Sequence, residues 1–139
     1  FWYEDFKMAR TKTAWRKQHR AYENTREFAL AQLVCVLVSI EFGVPYKYLM
    51  APTKGQSHQS FARQVAMYLT HVVFQTPICA VGRAFGRDQS TIGYACRLIE
   101  DARDDEIFDM RVQKLEDCLE TTKVLQCLRG EDVRQKGHA

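Results

Sequence analysis

No apolar run in this sequence reaches the roughly 18 residues that a membrane span requires. Phe28 to Ile40 comes closest and is too short, and no secretory pattern stands at the start. The cysteines Cys35, Cys79, Cys96, Cys118 and Cys127 are odd in number, widely spaced and never arranged as C-x-x-C. Each has apolar neighbours, so each reads as a small hydrophobe in a reducing cytoplasm. His19, His58, His71 and His138 have no ligand spacing with them, which argues against a zinc site. A glycine-rich phosphate loop is missing, as are a nucleophile–base motif and a recognisable pair of acid/base carboxylates. Neither an enzyme nor a bound nucleotide, metal or other cofactor is expected. The chain opens on Phe1 rather than Met, as a fragment or a processed chain would.

What is present fits one domain. A chain of 139 residues with 46% hydrophobic content can bury a sizeable core. The net charge of +3 is segregated. Residues 1–99 hold 13 Lys/Arg and 6 Asp/Glu, a net of +7, whereas residues 100–139 hold 7 and 11, a net of −4. A basic body with an acidic end points to a polyanionic partner on one side.

The most informative stretch is Thr76 to Ile99, TPICAVGRAFGRDQSTIGYACRLI. Pro77 suits the first turn of a helix, with Thr76 as its cap. Ile78, Val81 and Phe85 fall on one helical face, and Ile92, Ala95, Cys96 and Ile99 on one face of the next helix. Gly86 supplies the left-handed turn between them, and Asp88 can cap the second helix. Its exposed start, Arg87, Asp88, Gln89, Ser90 and Thr91, is polar throughout. That is the composition a major-groove recognition helix needs, because base edges are read by polar side chains near its N-terminus. The same residues also make a good helix cap on any small helical domain.

Two ordered blocks carry a family resemblance. Ala62 to Leu69, Ala-Arg-Gln-Val-Ala-Met-Tyr-Leu, resembles the Pro-Arg-Gln-x-Ala-Met-x-Leu block of the C-terminal DNA-binding domain of the bacterial replication initiator DnaA. Val81 to Ile92, Val-Gly-Arg-Ala-Phe-Gly-Arg-Asp-Gln-Ser-Thr-Ile, resembles that family's Ile-Gly-x-x-Phe-Gly-Gly-Arg-Asp-His-Thr-Thr-Val signature. The family has two glycines in the turn and this chain has only Gly86. The resemblance spans residues 24–103 and implies an all-α, Trp-repressor-like helix-turn-helix bundle, here with additional N- and C-terminal helices. It also implies that Asp88 and Gln89 face base edges, while Ser90 and Thr91 divide between bases and phosphates. Lys54, Arg63, Gln64, His71, Arg87 and Arg97 are the expected phosphate contacts. Gln89 stands where the family usually has His, and Gln can pair bidentately with adenine. The loop Ala51 to Ser60 is rich in Arg and Lys in the family, but here it offers only Lys54 and His58.

The remaining segments frame this domain. Residues 1–23 form a basic, aromatic arm or helix: Phe1, Trp2, Tyr3 and Phe6 are followed by a run from Lys7 to Arg20 without an acid. Asn24 or Thr25 caps an apolar helix to Phe42, in which Ala29, Val36 and Ile40 broaden the buried face. Phe61 to Phe74 forms a third helix. Residues 104–129 form an amphipathic helix with a stripe of Phe108, Val112, Leu115, Leu119 and Thr122, and residues 130–139 a flexible tail. The stripe packs on the domain's own core or, with the N-terminal aromatics, on a second copy or a protein partner. The expected function is sequence-specific binding of double-stranded DNA by a cytoplasmic, nucleoid-associated bacterial transcription regulator. The alternatives are a protein-interaction adaptor with weak DNA binding and a DNA-binding fragment of a replication or transposition protein.

Overall fold

The computed structural model describes residues 26–128. The N-terminal arm, the Asn24 or Thr25 cap and the C-terminal tail lie outside the described residues. Those described form six helices and no strand: α1 Arg26–Phe42, α2 Tyr46–Leu49, α3 Ser57–Val73, α4 Ile78–Phe85, α5 Gln89–Ala102 and α6 Glu106–Leu128.

Helix α3 is the centre. Ala62, Val65, Ala66, Met67, Tyr68, Leu69 and Val73 are all buried, in one cluster with residues of α1, α4, α5 and α6. Such a run places apolar side chains around most of the helix, which a helix packed on several sides requires. The helix begins at Ser57 rather than at Phe61. Gln59 reaches back to accept the amide of Gln56 at 3.0 Å, satisfying an otherwise orphaned group and extending the helix by a turn.

Helix α1 buries Phe28, Leu30, Ala31, Val34, Cys35 and Val38, and Gly43, at φ +66°, ends it. Ala29, Val36 and Ile40 were expected to join that face and do not. They are exposed, Ile40 to 75%. The helix turns one side to α3 and α4, and among the described residues the apolar side chains on its far side meet no partner. Burial pushes the Cys35 thiol up to about 12, with the nearby Arg63 charge drawing it back only in part. It is therefore an inert core residue.

The turn between α4 and α5 follows from two glycines. Gly86 sits in the left-handed region at φ +65° and ψ +39°. Its amide donates to the Arg83 carbonyl at 3.3 Å, and the next amide, of Arg87, donates to the Gly82 carbonyl at 2.8 Å. This pair of bonds is a Schellman closure, which satisfies the last carbonyls of α4. At the other end of α4 the cap is Pro77 itself, one residue later than expected, and Thr76 is buried.

Helix α6 joins the same core through Val112, Leu115 and Leu119. Its first turn is capped by Asp105, whose carboxylate accepts the Phe108 amide at 2.9 Å. Three rings hold its start, with centroid separations of 6.5 Å for Phe42–Phe61, 6.3 Å for Phe42–Phe108 and 5.4 Å for Phe61–Phe108. Beside them Arg111 lies over Phe42 at 4.3 Å and donates to the Glu41 carboxylate at 3.1 Å. Arg103, in the connection from α5, bonds to Asp109 and Glu116 of α6 and to the Tyr68 hydroxyl of α3. Burial works against its charge, but those bonds outweigh it and raise its pKa above the usual arginine range. No described helix is long and apolar enough to cross a membrane.

Candidate nucleic-acid interface

Helix α5 is anchored by one face. Ile92, Ala95 and Ile99 are wholly buried. Its N-terminal turn therefore projects outward, and Asp88, Gln89, Ser90 and Thr91 are all exposed. Asp88 is the N-cap residue, with φ −66° and ψ 152°, yet its carboxylate makes no capping hydrogen bond. The expected side-chain cap is absent, and the carboxylate stays at the outer surface. Further along the helix Tyr94 is 56% exposed and Arg97 is exposed. The Arg97 guanidinium lies back along the helix, 3.7 Å from where a β-carbon on Gly93 would stand.

A cleft of about 330 Å³ opens between α3, α5 and the 50–56 segment, lined by Lys54, Ser60, Arg63, Gln64, Met67, Arg87, Thr91 and Tyr94. None of these is acidic, and Lys54, Arg63 and Arg87 bring positive charge to the walls. Lys54, Gln64 and Thr91 thus come together on one side of the recognition turn. Tyr94, Ser60 and Met67 were not expected there. For Tyr94 the signal was its spacing of three from Thr91, which puts both on adjacent turns of one helix face.

Three expected phosphate contacts are placed differently. Arg63 is 3% exposed, and its guanidinium donates to the carbonyls of Tyr48, Leu49 and Lys54. Tyr48 and Leu49 lie at the end of α2, whose final carbonyls have no partner within so short a helix. Arg87 is half-buried and donates to the carbonyls of Phe85, Ala51 and Thr53, at 2.8, 2.8 and 3.3 Å. Burial, and then the charge of Arg63, draw its pKa down to about 10, which still leaves it cationic at neutral pH. His71 stands two turns beyond Gln64 on α3, roughly 10 Å along the helix. Its Nδ1 lies 2.7 Å from the Thr76 carbonyl, so the ring serves the link into α4. Arg63 and Arg87 face inward to the chain's own backbone, and His71 belongs to the opposite end of α3.

Among the described residues no three His, Cys, Asp or Glu side chains stand together as metal ligands.

Comparison with known proteins agrees with this geometry. The family model for the bacterial DnaA protein helix-turn-helix matches residues 31–99. The chromosomal replication initiator protein DnaA of Lactococcus lactis subsp. cremoris is 33% identical over 100 residues, which cover 68% of this chain and 21% of that protein. DnaA 2 of Chlamydia trachomatis is 51% identical over 50 residues, 34% of this chain and 11% of that protein. The crystal structure of a DNA replication initiation factor superposes with a TM-score of 0.60 at 26% identity, over 70% of this chain and 30% of the other. The chain thus spans about a fifth or less of the length of these curated relatives. Through residues 31–99 it is a DnaA-like helix-turn-helix protein, built on the fold of the DnaA C-terminal DNA-binding domain.

Proposed function

We propose that this chain binds double-stranded DNA sequence-specifically by laying the N-terminal turn of α5 in the major groove. One observation carries the reading: Asp88, Gln89, Ser90 and Thr91 are exposed together on a turn held from behind by the wholly buried Ile92, Ala95 and Ile99. A rigid backing matters because a base edge is discriminated only by donors and acceptors held in fixed positions. Gln89 pairs with adenine through its amide, and the uncapped Asp88 carboxylate accepts from a cytosine amino group. Ser90 and Thr91 divide between base edges and phosphates, while Lys54, Gln64 and Arg97 supply backbone contacts that set register.

The named relatives are chromosomal replication initiators. They favour a DNA-binding part of a replication-type protein, in the cytoplasm where the chromosome lies, over the transcription regulator expected from sequence. A second reading has its own support. Ile107, Met110, Val124, Leu125 and Leu128 of α6 are each more than half exposed, which suits contact with a second copy or another protein.

Fluorescence anisotropy with duplex DNA separates the two. Under the DNA reading, changing Gln89 and Ser90 together to Ala abolishes discrimination between duplex sequences while the fold is kept. An adaptor would show no sequence preference before or after the change.

A further inference from the structure

The segment from Tyr48 to Lys54 accepts hydrogen bonds from two arginines that lie far apart in sequence. Arg63, from the first turns of α3, takes the carbonyls of Tyr48, Leu49 and Lys54. Arg87, from the turn before α5, takes those of Ala51 and Thr53, and that of Phe85 at the end of α4. Together they hold five carbonyls in seven consecutive residues. Neither has a carboxylate partner among these bonds, and the cleft they line has no acidic wall. A planar fork with several fixed donors can hold two or three carbonyls at once, which the point charge of a lysine cannot. The same segment carries Lys54, and the turn that Arg87 belongs to leads directly into Asp88 and Gln89.

We propose that Arg63 and Arg87 are positioning residues that fasten the 48–54 segment to the recognition-helix turn, so that both meet duplex DNA in one fixed register. This rests on the DNA reading above and adds to it. The two arginines act through the backbone they hold and not through a phosphate. Arg87 is the informative one, because Arg63 is buried and its loss also threatens the fold.

The experiment compares Arg87→Lys and Arg87→Gln with the parent chain. Backbone order parameters from amide nitrogen relaxation are followed at Thr53, Lys54 and Gly55 in the free protein. Affinity is then measured for a duplex selected from a random library and for a scrambled duplex, over a range of salt. A positioning role makes both variants lower the order parameters at the three residues. Both lose about tenfold in affinity for the selected duplex, near the worth of one charge-assisted contact. Affinity for the scrambled duplex and the salt slope stay as in the parent. A phosphate contact gives the opposite pattern. Lys then restores parent affinity, and Gln lowers the slope by about 0.9 for the one lost contact. That pattern, or unchanged order parameters at the three residues, overturns the proposal. If the parent itself makes no distinction between duplexes, the DNA reading fails, and the order parameters still decide whether Arg87 holds the segment.

Discussion

Gly82 stands so close to the carbonyl oxygen of Arg87 that a β-carbon on it would lie 2.7 Å away. The contact belongs to the closure of the turn, where the Arg87 amide returns to the Gly82 carbonyl. Backbone cannot yield there as the end of a flexible side chain would. Gly82→Ala is therefore expected to destabilise the fold by about 1–3 kcal/mol, the usual cost of overpacking. Chemical denaturation followed by circular dichroism measures it. At Gly93 the opposite holds, because an added β-carbon meets only the Arg97 guanidinium at an ordinary 3.7 Å. Gly93→Ala should stabilise the helix by about 0.5–1 kcal/mol. If it also weakens DNA binding, the bare backbone at Gly93 is a point of close approach to the duplex.

Arg103 ties α6 to the rest of the bundle. Its bonds to Asp109, Glu116 and Tyr68 join three elements, and the Glu116 side chain is only 16% exposed. Arg103→Ala leaves that carboxylate without its cation and should cost about 1.5–3 kcal/mol, the range for hydrogen bonds to charged groups. Since α6 contributes Val112, Leu115 and Leu119 to the shared core, the loss should appear in global unfolding and not only as fraying of one helix.

Acid should act on the join between α1 and α6. Hydrogen bonding to Lys114 is the largest influence on Glu41, and with Arg111 it outweighs burial and holds the carboxyl below its ordinary value of 4.5. A depressed carboxyl pKa contributes stability that is present above the unfolded value and is lost as pH falls through the folded one. Thermal midpoints should therefore drop as pH falls below about 4.5, and Glu41→Gln should flatten part of that dependence. A drop of the same size in Glu41→Gln would show that other carboxylates account for it.

The recognition turn was the most legible part of the chain. A single Gly between two apolar-periodic stretches, then Asp and a polar run, permits few readings, and Gly86, Asp88 and the exposed Gln89 to Thr91 stand where that pattern puts them. The helix starts at Ser57 and Pro77 differ from the expected ones by four residues and one, and at Ser57 the Gln59 side chain moved the boundary by accepting the Gln56 amide. Arg63 and Arg87, expected as phosphate contacts, stand against the chain's own backbone for a reason the sequence does not display. Apart from Phe85, two residues before Arg87, their acceptors are backbone carbonyls 9 to 36 residues away, and a carbonyl carries no mark in the sequence. An arginine held by backbone reads the same as one awaiting a phosphate. Ile40 illustrates the converse, since hydrophobicity alone does not tell which side of an outer helix has a neighbour.

Tyr94 offers a check on the extent of the interface. It is exposed on α5 and lines the same cleft as Lys54 and Gln64. Tyr94→Ala should leave stability within about 0.5 kcal/mol, as surface changes do. Its effect on DNA should be a several-fold loss of affinity by anisotropy. An unchanged affinity would confine the interface to the first turn of the helix.

Direct reading of base pairs by the first turn of α5 is the function proposed for this chain. Selection from a randomised duplex library, run in parallel on the parent chain and on Gln89→His, tests it most directly. One enriched motif is expected for the parent, and for the variant a motif that differs at one or two adjacent positions, each worth about 1–3 kcal/mol of discrimination. Log affinity for the winning duplex should fall linearly with log salt, by about 0.9 for each phosphate contact. Identical motifs for the two chains, or no enrichment from either, would contradict direct readout by this helix.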